Sequence, residues 1–335
     1  MAYRKIVIPN KDVVFTWMTD IHLSAVAPGR RSDAYRSQIF KKLNFISELT
    51  HKVNGVCLCG GDIFHIKGSQ SKANSLNMIN EAIRTFGSFP SGKIYSTVGN
   101  HDIQFDCMDT IASQPIGILM EADVCHCLNR EPLIFTNEDG SVNVSVETFD
   151  YTSGVETQAA LLGAGERLDG IDYRIGIVHA SGVSGDSKEF FNDWLIGYNQ
   201  LKNIDFDILL WGHDHSRTET ETVGNVTHIN LGSIARAALS MDEIERKVVA
   251  TVITLGAEKA RIKEVEVPVL PIEQVFRVED KKVETVKDNA EVKKFFNDMQ
   301  DSVDDISSDD PIVVIEALCL EEPKLAELVK ELCEY

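Results

Sequence analysis

The chain has 335 residues, a formal net charge of −19, and an ordinary globular composition with 43% hydrophobic and 25% charged residues. It exceeds the usual length of one domain, so we expect a large domain at 1–268 and a smaller cap or partner-binding domain at 269–335. No cleavable signal pattern or long uncharged apolar stretch is present, and the seven cysteines are scattered, which argues against a disulfide scaffold or a membrane protein. The sequence predicts a cytoplasmic protein without membrane association.

The acidic balance disfavours tight, unaided binding to nucleic acid, because phosphate backbones are held mainly by Lys and Arg. Residues 277–335 carry 17 acidic against 8 basic side chains, so −9 of the −19 lies in this C-terminal segment. Bound cations would cancel part of the remaining negative charge.

The first hundred residues alternate between β-favouring runs and segments with helical spacing of apolar residues. Strands are predicted at 13–18, 56–59 and 93–98, and helices at about 32–53 and 72–86. Each strand runs into a polar loop. In α/β sheets the loops at the carboxyl ends of the strands carry the functional groups, so residues far apart in sequence are expected to converge there.

The next part of the chain supplies more predicted strands, at 142–148, 173–178 and 207–211. Two later strands are expected to be antiparallel edges, at 226–230 and 247–254. Glycine-rich polar stretches are expected to form loops, at 28–32, 154–172 and 182–188. These elements predict an α/β fold, namely a two-sheet αββα sandwich.

After Pro271 the pattern changes to strand, helix, strand and helix, at 275–278, 291–303, 311–318 and 323–333. This order predicts a small C-terminal α+β cap.

Five separated blocks place carboxylate, imidazole or amide side chains directly after predicted strands. They are Thr19-Asp20-Ile21-His22, Gly60-Gly61-Asp62, Gly99-Asn100-His101-Asp102, Val178-His179 and Gly212-His213-Asp214-His215. A mixed oxygen and nitrogen donor set suits a pair of first-row divalent ions that share one carboxylate. Two such ions can clamp a phosphoryl group, so the blocks together predict hydrolysis of a phosphate ester.

A single Asp-x-His block would usually be only a hydrogen-bonded turn. The joint order of the five blocks, each after a strand, uses five of the nine histidines and is hard to obtain by chance. We therefore favour the metal-site interpretation.

With these blocks, the sequence resembles the calcineurin-like metallophosphoesterases from Val13 to about Thr254. The resemblance implies a ligand set for a first ion, a ligand set for a second ion and a bridging carboxylate. The first set is Asp20, His22 and His215, the second is Asn100, His179 and His213, and the bridge is Asp62. Two Mn²⁺ ions are the expected cofactors, with Mg²⁺, Fe and Zn as alternatives.

The resemblance also implies two catalytic residues. His101 would protonate the leaving oxygen or stabilise the transferring phosphoryl group, and Asp102 would fix the tautomer and orientation of His101. A hydroxide activated by the ions would attack phosphorus in line.

Four further residues are hypothetical substrate contacts. Arg30 and Arg31 follow the first block and would meet substrate phosphates, although a solvated loop is an equal alternative. His65 stands where DNA-processing members typically carry an acidic residue, and it is a hydrogen-bond partner of a metal ligand, a substrate contact or a surface histidine. Arg236 follows the last histidine pair at a spacing where relatives close the site.

Within the family, three features look like the SbcD-type DNA repair nucleases. These are the Asp-Ile-His-Leu start with its arginine-bearing loop, the Gly-Asp-Ile-Phe phrase and the C-terminal cap. That resemblance implies a DNA substrate, a homodimer and an SMC-like coiled-coil ATPase partner. A cyclic-nucleotide or small-nucleotide phosphodiesterase remains an alternative, and so does a non-catalytic scaffold that keeps the fold as an interaction surface.

Overall fold

A computed structural model describes residues 5–29, 31, 33–68, 71–128, 132–185, 195–237 and 246–276. Arg30 and residues 277–335 lie outside the described residues, so the predicted cap elements from 291 onward and the domain boundary at 268 stay predictions. Among the described residues, no helix has the length and apolar character needed to cross a bilayer.

The strands, in chain order, are β1 (Lys5–Val7), β2 (Val13–Met18), β3 (Val56–Cys59), β4 (Ile94–Ser96), β5 (Cys125–Cys127), β6 (Leu133–Thr136), β7 (Asn143–Phe149), β8 (Tyr173–His179), β9 (Ser181–Val183), β10 (Leu195–Gly197), β11 (Ile208–Gly212), β12 (Glu221–Val223), β13 (Val226–Asn230), β14 (Val249–Leu255) and β15 (Ala260–Glu266). The α-helices are α1 (Tyr35–Lys52), α2 (Leu76–Gly87), α3 (Pro115–Glu121), α4 (Gly154–Leu162) and α5 (Ile272–Val275). Short 3₁₀ turns cover Lys72–Asn74, Met108–Ser113 and Tyr198–Leu201.

These strands form two main sheets, and the αββα prediction is confirmed. The first sheet has the order β15-β14-β2-β3-β4-β5, with β2 to β5 parallel. The second has the order β1-β6-β7-β8-β11-β13-β12, with β7, β8, β11 and β13 parallel. A separate parallel pair joins β9 and β10.

Apolar side chains divide into a central core between the sheets and a core on each outer face. Strand β3 shows the division, because Leu58 joins the central core while its neighbours Cys57 and Cys59 join the core under the helices. On α1, Ile39, Leu43 and Ile46 share one face and bury against the first sheet. Burial of each such side chain contributes about 1.5–3 kcal/mol, so this layered core is what holds the strand ends in register.

Four local predictions were wrong. Strand β13 pairs parallel with β11, and β14 lies inside the first sheet between β2 and β15, so neither is an edge. Nearly every residue of β14 is buried, which suits an interior strand. The expected loop at 154–172 begins with α4, which Ser153 caps by accepting the Glu156 amide. Part of the strand expected at 275–278 is instead the end of α5.

Candidate metal centre

The centre lies where parallel strands of both sheets end. Asp20 and His22 follow β2, and Asp62 follows β3. Asn100 and His101 follow β4, whereas His179 ends β8 and His213 follows β11. The carboxyl ends of parallel strands share one edge of a sheet. Because the two sheets pack face to face, these seven side chains meet although they come from distant segments of the chain.

Backbone conformation concentrates strain at the ligand positions. Asp20, His22, Asp62 and His213 all adopt left-handed φ angles, at 52°, 49°, 49° and 88°. Non-glycine residues rarely adopt this region, and packing around the site has to maintain it.

The glycine before Asn100 is required by close packing. A Cβ atom at Gly99 would collide with the carboxylate Oδ1 and the amide nitrogen of Asp62. Gly99 therefore lets the Asn100 loop approach the Asp62 loop closely enough for both side chains to reach the same space.

Four side chains form the first cluster. Asp20, His22, Asp62 and His215 each offer one ligand atom, and these atoms all lie within 4.8 Å of one another. His22 Nε2 lies 2.8 Å from His215 Nε2 and 3.7 Å from Asp62 Oδ2. Since each imidazole nitrogen here converges on carboxylates and on another nitrogen, the cluster has the donor set of a divalent cation site.

A second cluster shares Asp62. Asn100 Oδ1 lies 3.1 Å from His179 Nε2 and 3.0 Å from His213 Nδ1. His179 Nε2 is also 3.5 Å from Asp62 Oδ1. The two carboxylate oxygens of Asp62 thus face different clusters, Oδ2 the first and Oδ1 the second.

Four groups of the site are in the protonation state that binds a metal ion near neutral pH. Burial opposes ionisation of Asp62, but the attraction of His179, His22 and His101 outweighs it and lowers the pKa of this carboxyl. Burial lowers the pKa of His22, and it lowers the pKa of His213 and His215 to about 4. These three imidazoles are therefore neutral at pH 7, which is the form that binds metal.

Two groups of the site shift in the opposite direction. Burial, reinforced by the charge of Asp62, raises the pKa of Asp20 to about 7. Although burial alone would lower it, the neighbouring Asp62 and Asp20 raise the pKa of His179 to about 9. A cation placed between them would favour carboxylate at Asp20 and neutral imidazole at His179.

The residues present fit two divalent ions. All seven residues that the sequence analysis assigned as metal ligands meet at this edge, in two groups that share Asp62. Their oxygen and nitrogen donors match the preferences of first-row divalent cations. Coordination itself stays a prediction.

The two residues assigned to catalysis have different surroundings from those expected. His101 Nδ1 lies 2.6 Å from the carbonyl oxygen of His65, to which it donates. The carboxylate of Asp102 accepts from the backbone amides of Ile63, Phe64 and Gly99. The contact that orients His101 is therefore the His65 carbonyl, while Asp102 ties together the two loops that carry the ligands.

The proposed substrate residues do not all face the site. Arg31 is buried, and it donates to Asp33 and to the carbonyl oxygens of Ala235 and Arg236. Its guanidinium therefore makes structural hydrogen bonds within the fold and is not available to contact a substrate phosphate. Arg236 is also buried and donates to the Arg246 carbonyl. Arg30 lies outside the described residues.

His65, by contrast, is at the centre. Its ring stacks on His101 with centroids 5.8 Å apart and meets His22 edge-on at 5.4 Å. Burial lowers the pKa of His65 to about 4, so the ring is neutral at pH 7.

Two neighbours of the centre were not predicted from the sequence. Tyr151 follows β7, and its ring centroid lies 5.5 Å from that of His213 and 6.0 Å from that of His179. The rule that strand ends carry functional groups, applied to β7, would have found it. The second neighbour is Arg246, whose positive charge adds to the lowering of the His215 pKa by burial. No comparable feature of the sequence pointed to it.

Comparison with known proteins adds a family match. The family described as calcineurin-like phosphoesterase matches residues 13–217, more than half of the chain. No curated protein sequence matches significantly.

Several solved structures are similar at low identity. A 5′-nucleotidase precursor from Thermus thermophilus is 10% identical with a TM-score of 0.42, and the alignment covers 76% of this chain and 54% of that one. TT1561 of the same organism is 8% identical with a TM-score of 0.45, covering 77% and 100%. Vps29 complexed with Zn²⁺ from Entamoeba histolytica is 14% identical with a TM-score of 0.28, covering 76% and 100%. The chain thus spans about half the length of the nucleotidase precursor.

Proposed function

The chain belongs to the calcineurin-like phosphoesterase family, and on that premise we propose that it is a divalent-metal-dependent phosphodiesterase that cleaves DNA, of the SbcD nuclease type. The observation that supports the phosphodiesterase part is the position of Asp62. Its Oδ2 lies 3.7 Å from His22 Nε2 in the first cluster, and its Oδ1 lies 3.5 Å from His179 Nε2 in the second. This is the arrangement that a carboxylate shared by two ions requires.

When bound, the two ions would polarise the phosphoryl oxygens and lower the pKa of a water molecule. Asp20, His22 and His215 would hold one ion, and Asn100, His179 and His213 the other. Asp62 would keep them at a distance suited to one phosphoryl group.

His101 supplies the proton in this proposal. Its Nδ1 hydrogen is committed to the carbonyl oxygen of His65, which fixes the plane of the ring. Nε2 is then the nitrogen that must carry a second proton, so that the doubly protonated ring can pass it to the leaving oxygen of the cleaved ester. Asp102 acts through the backbone, because it holds the loop of Gly99 against that of Ile63.

DNA as the substrate rests on the sequence resemblance to SbcD-type nucleases. The net charge of −19 means that backbone binding would be weak without cations. We therefore expect cleavage that depends strongly on metal and falls with added salt. The homodimer and the SMC-like coiled-coil ATPase partner belong to the same proposal, since a partner would supply DNA affinity.

One substrate panel tests the proposal. The metal-free protein is reloaded with Mn²⁺ and assayed with single-stranded DNA, duplex DNA, RNA, cyclic nucleotides, phosphopeptides and bis-p-nitrophenyl phosphate. We expect DNA and the chromogenic diester to be hydrolysed. Preference for phosphomonoesters would remove the nuclease assignment, and preference for cyclic nucleotides would favour the small-nucleotide alternative.

Two variants connect turnover to the residues. His101→Ala should depress turnover about 10²- to 10⁴-fold with metal content retained, because it removes only the proton donor. Asp62→Asn should lose both metal and turnover. Absence of hydrolysis by a fully metal-loaded wild-type protein would instead favour the scaffold alternative.

The partner part of the proposal has its own tests. Sedimentation equilibrium distinguishes the homodimer from a monomer. ATP-dependent stimulation of DNA cleavage by a purified SMC-like coiled-coil ATPase tests the partnership, and unchanged cleavage would contradict it.

A further inference from the structure

Beside the two clusters lies a third group of donors that consists of imidazoles alone. His22, His65 and His101 each offer one ring nitrogen, and these nitrogens lie within 4.8 Å of one another. The ring of His22 meets the other two nearly at right angles, with centroids 4.8 Å from His101 and 5.4 Å from His65. We call these three residues the histidine triad.

The backbone holds the first two members of the triad in place. Beyond β2 and β3 the two loops continue their parallel pairing, because the amides of His22 and Leu23 donate to the carbonyl oxygens of Asp62 and Ile63 at 2.9 and 2.7 Å. The His65 amide then donates to the Leu23 carbonyl at 2.9 Å. The spacing between His22 and His65 is therefore set by a hydrogen-bonded ladder.

His101 is held by two independent contacts. Its amide donates to Asp62 Oδ1 at 2.8 Å, and its Nδ1 donates to the His65 carbonyl at 2.6 Å. With Nδ1 occupied, Nε2 is the nitrogen that His101 can offer to an ion. The triad is thus organised before any ion binds, which reduces the entropy lost on binding.

Two nitrogens of the triad are buried without a partner. Neither His22 Nδ1 nor His65 Nδ1 has a hydrogen bond among the described residues, and both atoms are shielded from solvent. A buried polar atom without a partner costs about 1–3 kcal/mol, so each such case in a folded protein calls for an explanation. A ligand that binds imidazole nitrogen would supply one.

We propose that the histidine triad is a separate binding site for an imidazole-preferring divalent cation, of which Zn²⁺ is the representative. Three imidazole nitrogens with a water molecule complete the tetrahedral set that Zn²⁺ takes, whereas Mn²⁺ and Mg²⁺ favour carboxylate oxygen. The first cluster offers two carboxylates and two imidazoles, whereas the triad offers imidazoles alone, so the triad is the site with the stronger preference for Zn²⁺ over Mn²⁺.

The triad shares His22 with the first cluster, and an ion in the triad occupies His101 Nε2, the nitrogen from which the proposed function passes a proton. On the proposed function, Zn²⁺ then inhibits an enzyme that Mn²⁺ activates. The binding itself does not depend on that function.

Zn²⁺ binding is measured first, by equilibrium dialysis, with no assay of activity. The background variant Asp20→Asn/His215→Asn removes two ligands of the first cluster and leaves the triad intact. We expect this variant to bind two equivalents of Zn²⁺, one at the triad and one at the second cluster. Adding His65→Phe should leave one equivalent, whereas adding His126→Asn, at an exposed position on β5, should leave two.

Retention of both equivalents in the His65→Phe variant would overturn the proposal. His65→Asn is measured in parallel, and thermal unfolding of each variant identifies any loss caused by misfolding. Co²⁺ absorption gives an independent signature, because a tetrahedral Co²⁺ band should disappear with His65 and persist in the His126→Asn control.

Inhibition is measured second. Micromolar Zn²⁺ added to the Mn²⁺-loaded wild type should reduce hydrolysis of bis-p-nitrophenyl phosphate at least tenfold, and His65→Asn should weaken that inhibition. Equal inhibition of wild type and His65→Asn would overturn the regulatory part. If the protein hydrolysed nothing, the proposed function would fail while the binding result still decided the site.

Discussion

The carboxylate of Asp102 accepts a hydrogen bond from the backbone amide of Gly99, 3.0 Å away. Its other oxygen accepts from Ile63 at 3.0 Å and Phe64 at 3.4 Å. Asp102 is fully buried, so these amides depend on it for their partners. One side chain thereby connects the loop that supplies Asp62 to the loop that supplies Asn100 and His101.

Asp102→Asn should destabilise the protein and loosen the metal centre together. An amide offers one acceptor oxygen, and its NH₂ group would oppose a backbone N–H, so at least one buried donor loses its partner at a cost of about 1–3 kcal/mol. We expect a lower midpoint in urea unfolding and weaker Mn²⁺ binding. Asp109→Asn, at an exposed position in the nearby 3₁₀ turn, serves as the control and should change neither quantity.

Gly99→Ala should abolish metal binding. The added Cβ would overlap Asp62 Oδ1, so the two loops would have to separate. Gly87→Ala, in α2, is the matched control, because the added Cβ would make only an ordinary contact of 3.6 Å with the Val124 side chain. That control, at the exposed last residue of α2, should leave Mn²⁺ binding unchanged. Normal Mn²⁺ content in Gly99→Ala would contradict the packing argument.

Arg246→Gln should raise KM about tenfold for a diester substrate and leave metal content unchanged. Burial is the main cause of the lowered pKa of His215 and the positive charge of the buried Arg246 adds to it, so we expect this guanidinium to lie near enough to the first cluster to meet a substrate phosphate. Loss of one charge-assisted hydrogen bond corresponds to about 1.5–3 kcal/mol, or roughly tenfold or more in affinity. Lys247→Gln, which removes an exposed neighbouring charge, is the control. A change in kcat alone would argue against substrate binding.

The histidine at position 228 should make the protein acid-sensitive. Its ring is buried and stacks on the Tyr198 ring with centroids 4.0 Å apart, and its Nδ1 accepts a hydrogen bond from Trp211 Nε1. Burial lowers the pKa of His228 from 6.5 to about 4. Above pH 6.5 the ring is neutral in both folded and unfolded chains. As pH falls from 6.5 towards 4, the unfolded chain takes up the proton first, so stability is lost, by up to about 3 kcal/mol.

His228→Phe should therefore flatten the dependence of unfolding free energy on pH between 6.5 and 4. Urea unfolding of the metal-free protein at several pH values measures this slope. His51→Phe, at an exposed position on α1, should keep the wild-type slope. An unchanged slope in His228→Phe would show that the pKa of this ring is the same in the folded and unfolded chains, and it would contradict the prediction.

The sequence was sufficient for the fold class and for the group of residues at the centre. Apolar runs of strand length, each ending in Gly, Asp, Asn or His, identify both the strands and their functional ends, because alternating β and α elements force parallel strands to end at one edge. Asp20, Asp62 and His179 could be assigned to one site on that ground alone. Tyr151 was accessible to the same rule.

Only the tertiary structure decided which side chains actually meet. Arg31 resembles a phosphate contact in sequence, yet its donors are used by Asp33 and by carbonyl oxygens some 200 residues away. His65 follows the Gly-Asp-Ile-Phe phrase, from which its role stayed open, and the ladder between two loops places it against His22 and His101. Local pattern determines where a loop begins, whereas the direction of each side chain depends on long-range packing and hydrogen bonds that no short stretch of sequence contains.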